Sequence, residues 1–206
     1  MATIGLDKLY YSKIEEDSNG NETYGTPKQL AKAMSADLSV ELAEATLYAD
    51  DGVAEAVKEF KSGTLSLGVD DIGMAAAADL TGATVDGNNV LVSTGEDSAA
   101  PVAIGSRARK ANGKYRYFWL YRVLFSIPSA SLSTKGDSIS FSTPTIEGTV
   151  YRRTKVDGAG KHPWKVEVTE GDGAADDIIT KWYNEVYEPS YAAASETTTE
   201  ETATEG

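Results

Sequence analysis

Cysteine is missing from all 206 residues, and histidine occurs once, as His162. With no thiol there is no disulfide framework and no thiolate to act as nucleophile or metal ligand. One imidazole cannot build a zinc centre, and Ser-His or Cys-His catalytic machinery has almost nothing to draw on. His162 itself precedes Pro163, which reads as a surface loop. No run approaches the roughly 18 apolar residues of a membrane span, so no membrane partner is expected. The first residues, Met1 to Lys8, lack a charged stretch followed by an apolar one, so nothing points to secretion.

Other motifs also fail on inspection. Gly160-Lys161 is followed by His162, and Lys155 stands where the first glycine of a phosphate-binding loop belongs. Gly63 to Gly68 has one residue too many for a nucleophile elbow. Glu15-x-Asp17-x-Asn19-Gly20 resembles the start of a calcium loop, but Thr26 sits where the bidentate acid should be. Carboxylates abound, yet nothing in the sequence brings two together for acid–base chemistry. No catalytic residue, metal or cofactor is assigned, and the expectation is a protein that is not an enzyme.

Basic residues are also few: 19 Lys and Arg stand against 32 Asp and Glu, a formal net charge of −13. The deficit is unevenly spread. Residues 1–106 hold 6 Lys and 18 acids, −12; residues 107–188 hold 13 bases and 10 acids, +3; residues 189–206 hold four Glu and no base, −4. An acidic first half joined to a mildly basic second half suits head-to-tail association of like chains, and also fits an acidic domain with uneven loops. Two basic clusters stand out: Arg107, Arg109, Lys110 and Lys114 at a hairpin tip, and Arg152, Arg153 and Lys155. Each suits a partner's carboxylates as well as nucleic acid.

The apolar pattern is that of strands. From Tyr115 to Ile127 every odd residue is apolar or aromatic, and the even residues are apolar in the middle, as in a strand covered on both faces. At about 3.3 Å per residue it would span roughly 40 Å, well beyond the usual strand. Its expected partner is Asp137 to Tyr151, where the apolar phase slips by one residue at Pro144, the mark of a β-bulge or an edge. Ser129 to Gly136 connects the two. A second long hairpin is expected over Ala36–Val69, turning at Asp50-Asp51-Gly52, although Val53 to Phe60 also fits a helix.

The remaining segments are shorter. Ile4 to Ile14 reads as a first strand, Glu15 to Pro27 as a polar loop, and Val90–Ser93, Val102–Ile104 and Lys165–Thr169 as short strands. Asp70 to Leu80 reads as a helix capped by Asp70 and Asp71 and closed by Gly82. Ala174 to Val186 reads as a terminal amphipathic helix carrying Ile178, Ile179, Trp182 and Val186 on one face. Beyond Pro189 the Ala/Thr/Glu tail cannot bury a core, so the expected organisation is a domain over 1–188 and a disordered acidic tail over 189–206.

Several ordered blocks resemble one family. Ile4-Gly-Leu-Asp-Lys-Leu-Tyr-Tyr11, Phe60-Lys-Ser-Gly-Thr-Leu-Ser-Leu-Gly-Val-Asp-Asp71, Phe118-Trp-Leu-Tyr121, Phe125-Ser-Ile-Pro128, Lys135-Gly-Asp-Ser-Ile139 and Thr143-Pro-Thr-Ile-Glu-Gly148 are similar to the major tail protein, or tail tube protein, of long non-contractile-tailed bacteriophages (siphophages). The resemblance reaches to about Pro189. It implies a mainly β fold (α+β minor), a β-sandwich or barrel with a flanking helix and long hairpins. It also implies hexameric rings stacked into a hollow tube through which phage DNA is ejected. The location implied is the virion tail, after synthesis in the cytoplasm of a host expected to be Gram-positive. The implied partners are further copies of the chain, tape measure, tail terminator and distal tail proteins, with double-stranded DNA only in transit.

On that reading Glu41, Glu44, Asp50, Asp51, Glu55 and Glu59 are candidate acids of the bore or of a ring interface, and the two basic clusters are candidate inter-ring contacts. The alternative is a monomeric β-sandwich module binding carbohydrate or protein, presenting Tyr115, Tyr117, Trp119 and Tyr121. The tail carries one clear expectation: deleting residues 190–206 leaves self-assembly intact, because that composition buries little. Electron microscopy of the truncated protein checks this, and loss of assembly would make the tail an assembly element.

Overall fold

The computed structural model describes residues 2–18, 21–49, 52–128, 143–173 and 176–191. The chain is mainly β, dominated by one large antiparallel sheet. Its strands are β1 (Thr3–Glu16), β2 (Glu22–Tyr24), β3 (Lys28–Ala31), β4 (Ala33–Ala49), β5 (Gly52–Val69), β6 (Thr84–Val85), β7 (Leu91–Val92), β8 (Val102–Lys110), β9 (Tyr115–Phe125), β10 (Thr145–Tyr151) and β11 (Lys165–Thr169). Two short helices join them, α1 (Met74–Thr81) and α2 (Asp176–Lys181). The main sheet runs β2-β1-β8-β9-β10-β5-β4, with β3 also on β1 and β11 also on β9; β6 and β7 form a separate ribbon.

Strand β9 lies at the centre, as its two-sided apolar pattern predicts. One edge pairs with β8; the other pairs in tandem with β10 over Arg122–Phe125 and β11 over Arg116–Leu120. Between them residues 152–164 leave the sheet and return, closed by the Arg153 N–H donating to the Pro163 carbonyl. β10 and β11 thus act as one interrupted strand, which is how an 11-residue strand finds full pairing.

A bulge in β9 sorts its side chains between two cores. Ile104 lies opposite Leu120 but Val102 opposite Val123, so β9 carries one residue more than β8 there. The extra residue reverses the face beyond it. Trp119 and Tyr121 therefore join an aromatic cluster with Ala103, Tyr117, Trp182 and Val186, while Leu120, Val123 and Phe125 join an aliphatic core with Leu9, Leu65, Leu67, Val102 and Val150. β1 also carries a register shift, between Asp7 and Tyr10 with Lys8 at φ 52, and its alternation puts Leu9 and Tyr11 in one core and Tyr10 in the other.

The sheet curls back on itself. β3 sits at one side of it and β4 at the other, yet only Lys32 separates Ala31 from Ala33 in the chain. Asp70 holds this corner: its carboxylate accepts the Lys32 N–H at 2.8 Å, and its own N–H donates to the Lys32 carbonyl.

Several expected boundaries change. Asp70 and Asp71 do not cap α1, which starts at Met74 behind Gly73, because Asp70 is committed to the Lys32 corner. Gly82 does close the helix in the left-handed conformation, at φ 80, with its N–H on the Ala78 carbonyl. Val53 to Phe60 is strand, not helix, because the pairing with β4 runs its whole length. β8 extends through Arg107, Arg109 and Lys110, leaving only Ala111–Lys114 as the hairpin tip. β2 lies inside the segment expected as loop. α2 is shorter than expected, but Ile178, Ile179, Trp182 and Val186 do pack on the aromatic cluster. The expected strand phase after Pro144 holds, with Ile146 and Val150 buried; the Ser129–Gly136 connection and Ser138 to Ser142 lie outside the described residues.

The segment from α2 to Tyr187 is fastened over the aromatic face by side chains of β9. Trp119 Nε1–H donates to the Trp182 carbonyl at 3.1 Å, and the Tyr121 hydroxyl to the Tyr187 carbonyl at 2.7 Å. Trp119 is fully buried and lies flat over Gly105, where a Cβ would meet its ring at 2.7 Å. Moving the ring aside would strain its bond to the Trp182 carbonyl. Gly105→Ala is therefore expected to destabilise the chain by about 1–3 kcal/mol, seen as a lower urea midpoint at unchanged slope. An unchanged midpoint would mean the Trp119 pocket is loosely packed.

Candidate assembly surface

The feature that asks for a function is the β4–β5 hairpin, of 17 and 18 residues. β10 pairs with β5 only from Gly63 to Gly68. Beyond it, from Leu42–Phe60 to Ala49–Gly52, β4 and β5 pair only with each other among the described residues. About eight residue pairs, roughly 25 Å at 3.3 Å per residue, run out past the body. A two-stranded ribbon alone in water is marginal at best. Among the described residues no strand pairs with the outer edge of β4, which leaves backbone donors and acceptors that suit addition of another strand.

The hairpin leaves the body at a defined point. Glu41 faces Ser62 but Leu42 faces Phe60, so Lys61 is an extra residue in β5. There the Phe60 ring stacks on Trp164 with centroids 4.4 Å apart and planes 2° from parallel. Trp164 precedes β11, so a side-chain contact stands where β5, paired with β10 but not with β11, has no ladder partner other than β4 among the described residues.

Cross-strand partners share a face, so the register assigns every side chain. The inner face carries Ala36–Leu67, Leu38–Leu65, Val40–Gly63 and Leu42–Phe60, then Glu44–Lys58. Close to the body these residues cover the core. Outward, Leu38, Val40 and Leu42 are 38%, 41% and 50% exposed, an apolar stripe only half covered among the described residues. The outer face carries Asp37–Ser66, Ser39–Thr64, Glu41–Ser62 and Ala43–Glu59, then Ala45–Val57 and Leu47–Glu55. It continues across β10 through Glu147, beside Ser66, and Thr149, beside Thr64. The outer face of β10-β5-β4 is thus hydroxyl-bearing and acidic.

The six acids singled out in the sequence separate on this frame. Glu41, Glu55 and Glu59 lie on the outer face; Glu41 accepts from the Ser62 hydroxyl at 3.2 Å and lies 3.6 Å from Lys61. Glu44 lies on the inner face, paired with Lys58 at 2.7 Å, and so does not join the others. Asp50 and Asp51 lie outside the described residues. Asp37 and Glu147, which complete the acidic face, escaped sequence reasoning because only the register places them beside Ser66; their even alternation with apolar neighbours was the available signal.

The basic candidates separate too. Arg107 is bidentate to Asp7, at 2.7 and 2.8 Å, and stacks 4.0 Å over Tyr115. Arg153 is buried, bonds Glu188 at 2.7 Å and lies over Tyr121, so it is an internal residue and not an inter-ring contact. Lys155 shares Glu188. Glu22, fully buried, pairs with Arg122 and accepts the Thr154 N–H, tying this loop to β2 and β9. Arg109, Lys114 and Arg152 are exposed, and Lys110 is half-buried, its Nζ 3.5 Å from the Thr169 hydroxyl. Tyr117, Trp119 and Tyr121 are buried under the α2 segment, so these rings do not form an exposed platform.

Among the described residues no group of three His, Cys, Asp or Glu could hold a metal ion, and no helix is long and apolar enough to cross a membrane. No protein-family model matches the chain, and a search of curated proteins gave no match.

Because Val40 and Leu42 are exposed at 41% and 50%, changing them together to threonine is expected to alter monomer stability by no more than about 0.5 kcal/mol, measured by urea unfolding at high dilution. Burial of that stripe against another copy contributes on the order of 1 kcal/mol per half-covered side chain. The same variant should therefore associate more weakly in sedimentation velocity. Loss of several kcal/mol from the dilute monomer would place the stripe inside the chain's own core.

Proposed function

We propose that this chain is a structural virion protein, the major tail protein of a long-tailed phage. In this reading copies close into hexameric rings, and the rings stack into a hollow tail tube through which DNA is ejected into a Gram-positive host. The fold is then the β-sandwich or barrel of the tail tube type, its helix flanking the sheet, and the molecule resides in the virion after assembly in the host cytoplasm. Tape measure, tail terminator and distal tail proteins are its further partners, and it needs no cofactor.

The observation that carries this reading is the pairing of an acidic, hydroxyl-rich outer face with a hairpin that outruns its own body. A passage for DNA must be wet and must not hold phosphate. Ser39, Ser62, Thr64, Ser66 and Thr149 supply a neutral hydrated wall, and Asp37, Glu41 and Glu147 repel the polyanion. The opposite face is apolar and half uncovered, and the β4 edge is unpaired among the described residues, so the chain gains by surrounding itself with copies. Ring closure leaves no free edge. The resemblance of the sequence blocks to tail tube proteins supplies the hexamer and the DNA.

Two measurements test this. Electron microscopy of the purified protein is expected to show rings or tubes; monodisperse single copies at all concentrations would sink the proposal. Tubes of the variant Asp37→Lys, Glu41→Lys, Glu147→Lys are expected to form and to capture short DNA duplexes that the parent tubes leave free. Each phosphate neutralised contributes a salt slope of about −0.9, so capture should fall steeply as salt rises. Variant tubes that ignore DNA would move these residues off the bore.

A further inference from the structure

The curled sheet leaves an open slot of about 520 Å³ beneath the base of the hairpin, bounded by β1, β4, β5, β8, β9 and β11. Leu6, Leu38, Leu65, Ala108, Phe118 and Leu120 line it with apolar surface. Its volume lies in the range of built binding sites, and among the described residues it is open on one side, where Ile4, at the rim, is 64% exposed. Two bases, Arg116 and Lys165, border the slot, and Lys110, on the face of Ala108 on β8, lies further along the same side with its Nζ 3.5 Å from the Thr169 hydroxyl. One acid, Glu167, lies among them and pairs with both Arg116 and Lys165. The lining therefore holds one positive charge in excess, and Lys110 beyond it adds a second.

The far end of the hairpin presents the complement. On its outer face Ala45, Leu47 and Val57 form an apolar row, with Leu47 and Val57 59% and 51% exposed, and Glu55 and Glu59 flank it. Neither acid has an ion-pair partner among the described residues, whereas Glu41 and Glu44 nearer the body have Lys61 and Lys58. We propose that the slot receives the hairpin end of a second copy, with Ala45, Leu47 and Val57 on its apolar lining and Glu55 and Glu59 against Lys110, Arg116 and Lys165. This rests on the self-assembly reading and specifies its contact. The acids of the hairpin then divide by position: Asp37 and Glu41 remain on the wet wall, while Glu55 and Glu59 join copies. Slot and hairpin end are different surfaces, so the contact is head to tail and propagates from copy to copy.

A chain without cysteine makes the test clean. In the double variant Ile4→Cys, Val57→Cys, mild oxidation of assembled protein is expected to give a ladder of covalent oligomers under non-reducing electrophoresis, while each single variant stops at dimers. Separately, Glu55→Lys with Glu59→Lys is expected to raise the concentration needed for assembly about tenfold, and adding Arg116→Glu and Lys165→Glu to restore it, as complementary charges set partner choice. Unfolding midpoints of dilute protein control for folding, since all four charged positions are at least partly exposed. Parent protein that assembles normally while the cysteine pair gives no ladder and the charge reversals have no effect overturns this contact alone. Parent protein that never assembles overturns both this contact and the tube reading.

Discussion

The pairing of β9 is the constraint on which the rest depends. A strand of 11 residues with apolar groups on both faces must have both edges hydrogen-bonded and both faces covered, since each unpaired buried amide costs about as much as a lost hydrogen bond. One edge is met by β8. The other is met by two strands in series, and the price of changing from β10 to β11 is the excursion of residues 152–164. That excursion delivers Trp164 to the ring of Phe60, and β5 pairs with β10 but not with β11. The hairpin runs on beyond the sheet from the point where the central strand changes partner.

The two faces of β9 in turn divide the molecule's interior. The aromatic face is satisfied within one copy: Trp119 and Tyr121 donate to backbone carbonyls of the closing segment, and Arg153 and Glu22 anchor the loops around it. Burial raises the Tyr121 hydroxyl well above the ordinary tyrosine range, so it stays a donor at any physiological pH. The aliphatic face is complete only as far as Leu65 and Leu120 and then opens into the slot. One half of the molecule is a finished domain and the other is an unfinished core. In the proposed assembly, copies complete one another.

What the sequence made legible follows from the range of its signals. Period-two patterning located β9, β10 and the long hairpin, because alternation is local and a buried strand has nowhere else to put its apolar residues. The left-handed Gly82 was legible for the same reason. The bulges were not: Lys61 in β5 and the extra residue of β9 exist only relative to a partner strand, and they decide which face each acid occupies. Glu44 and Glu59 looked alike in the sequence and lie on opposite faces. Glu22 read as loop because a glutamate in a polar stretch carries no mark of the arginine 100 residues away that neutralises it. Arg107 and Arg153 read as surface charge, and the structure commits both to internal carboxylates.

The free edge of β4 decides what kind of assembly is open to the chain. An exposed edge strand pairs with whatever is nearest, and the simplest error is two copies joined by their β4 edges about a two-fold axis. β4 carries Asp37, Glu41 and Glu44 and no lysine or arginine. Antiparallel pairing of β4 with itself would set these acids against one another, and like charges on facing strands are destabilising. The sequence is thus biased against the closed dimer, which would end growth at two copies. In the proposed assembly the contacts are between unlike surfaces, the acidic hairpin of one copy meeting the basic rim of another. A repeated contact of that kind closes into a ring or continues as a filament, and a stacked tube does both.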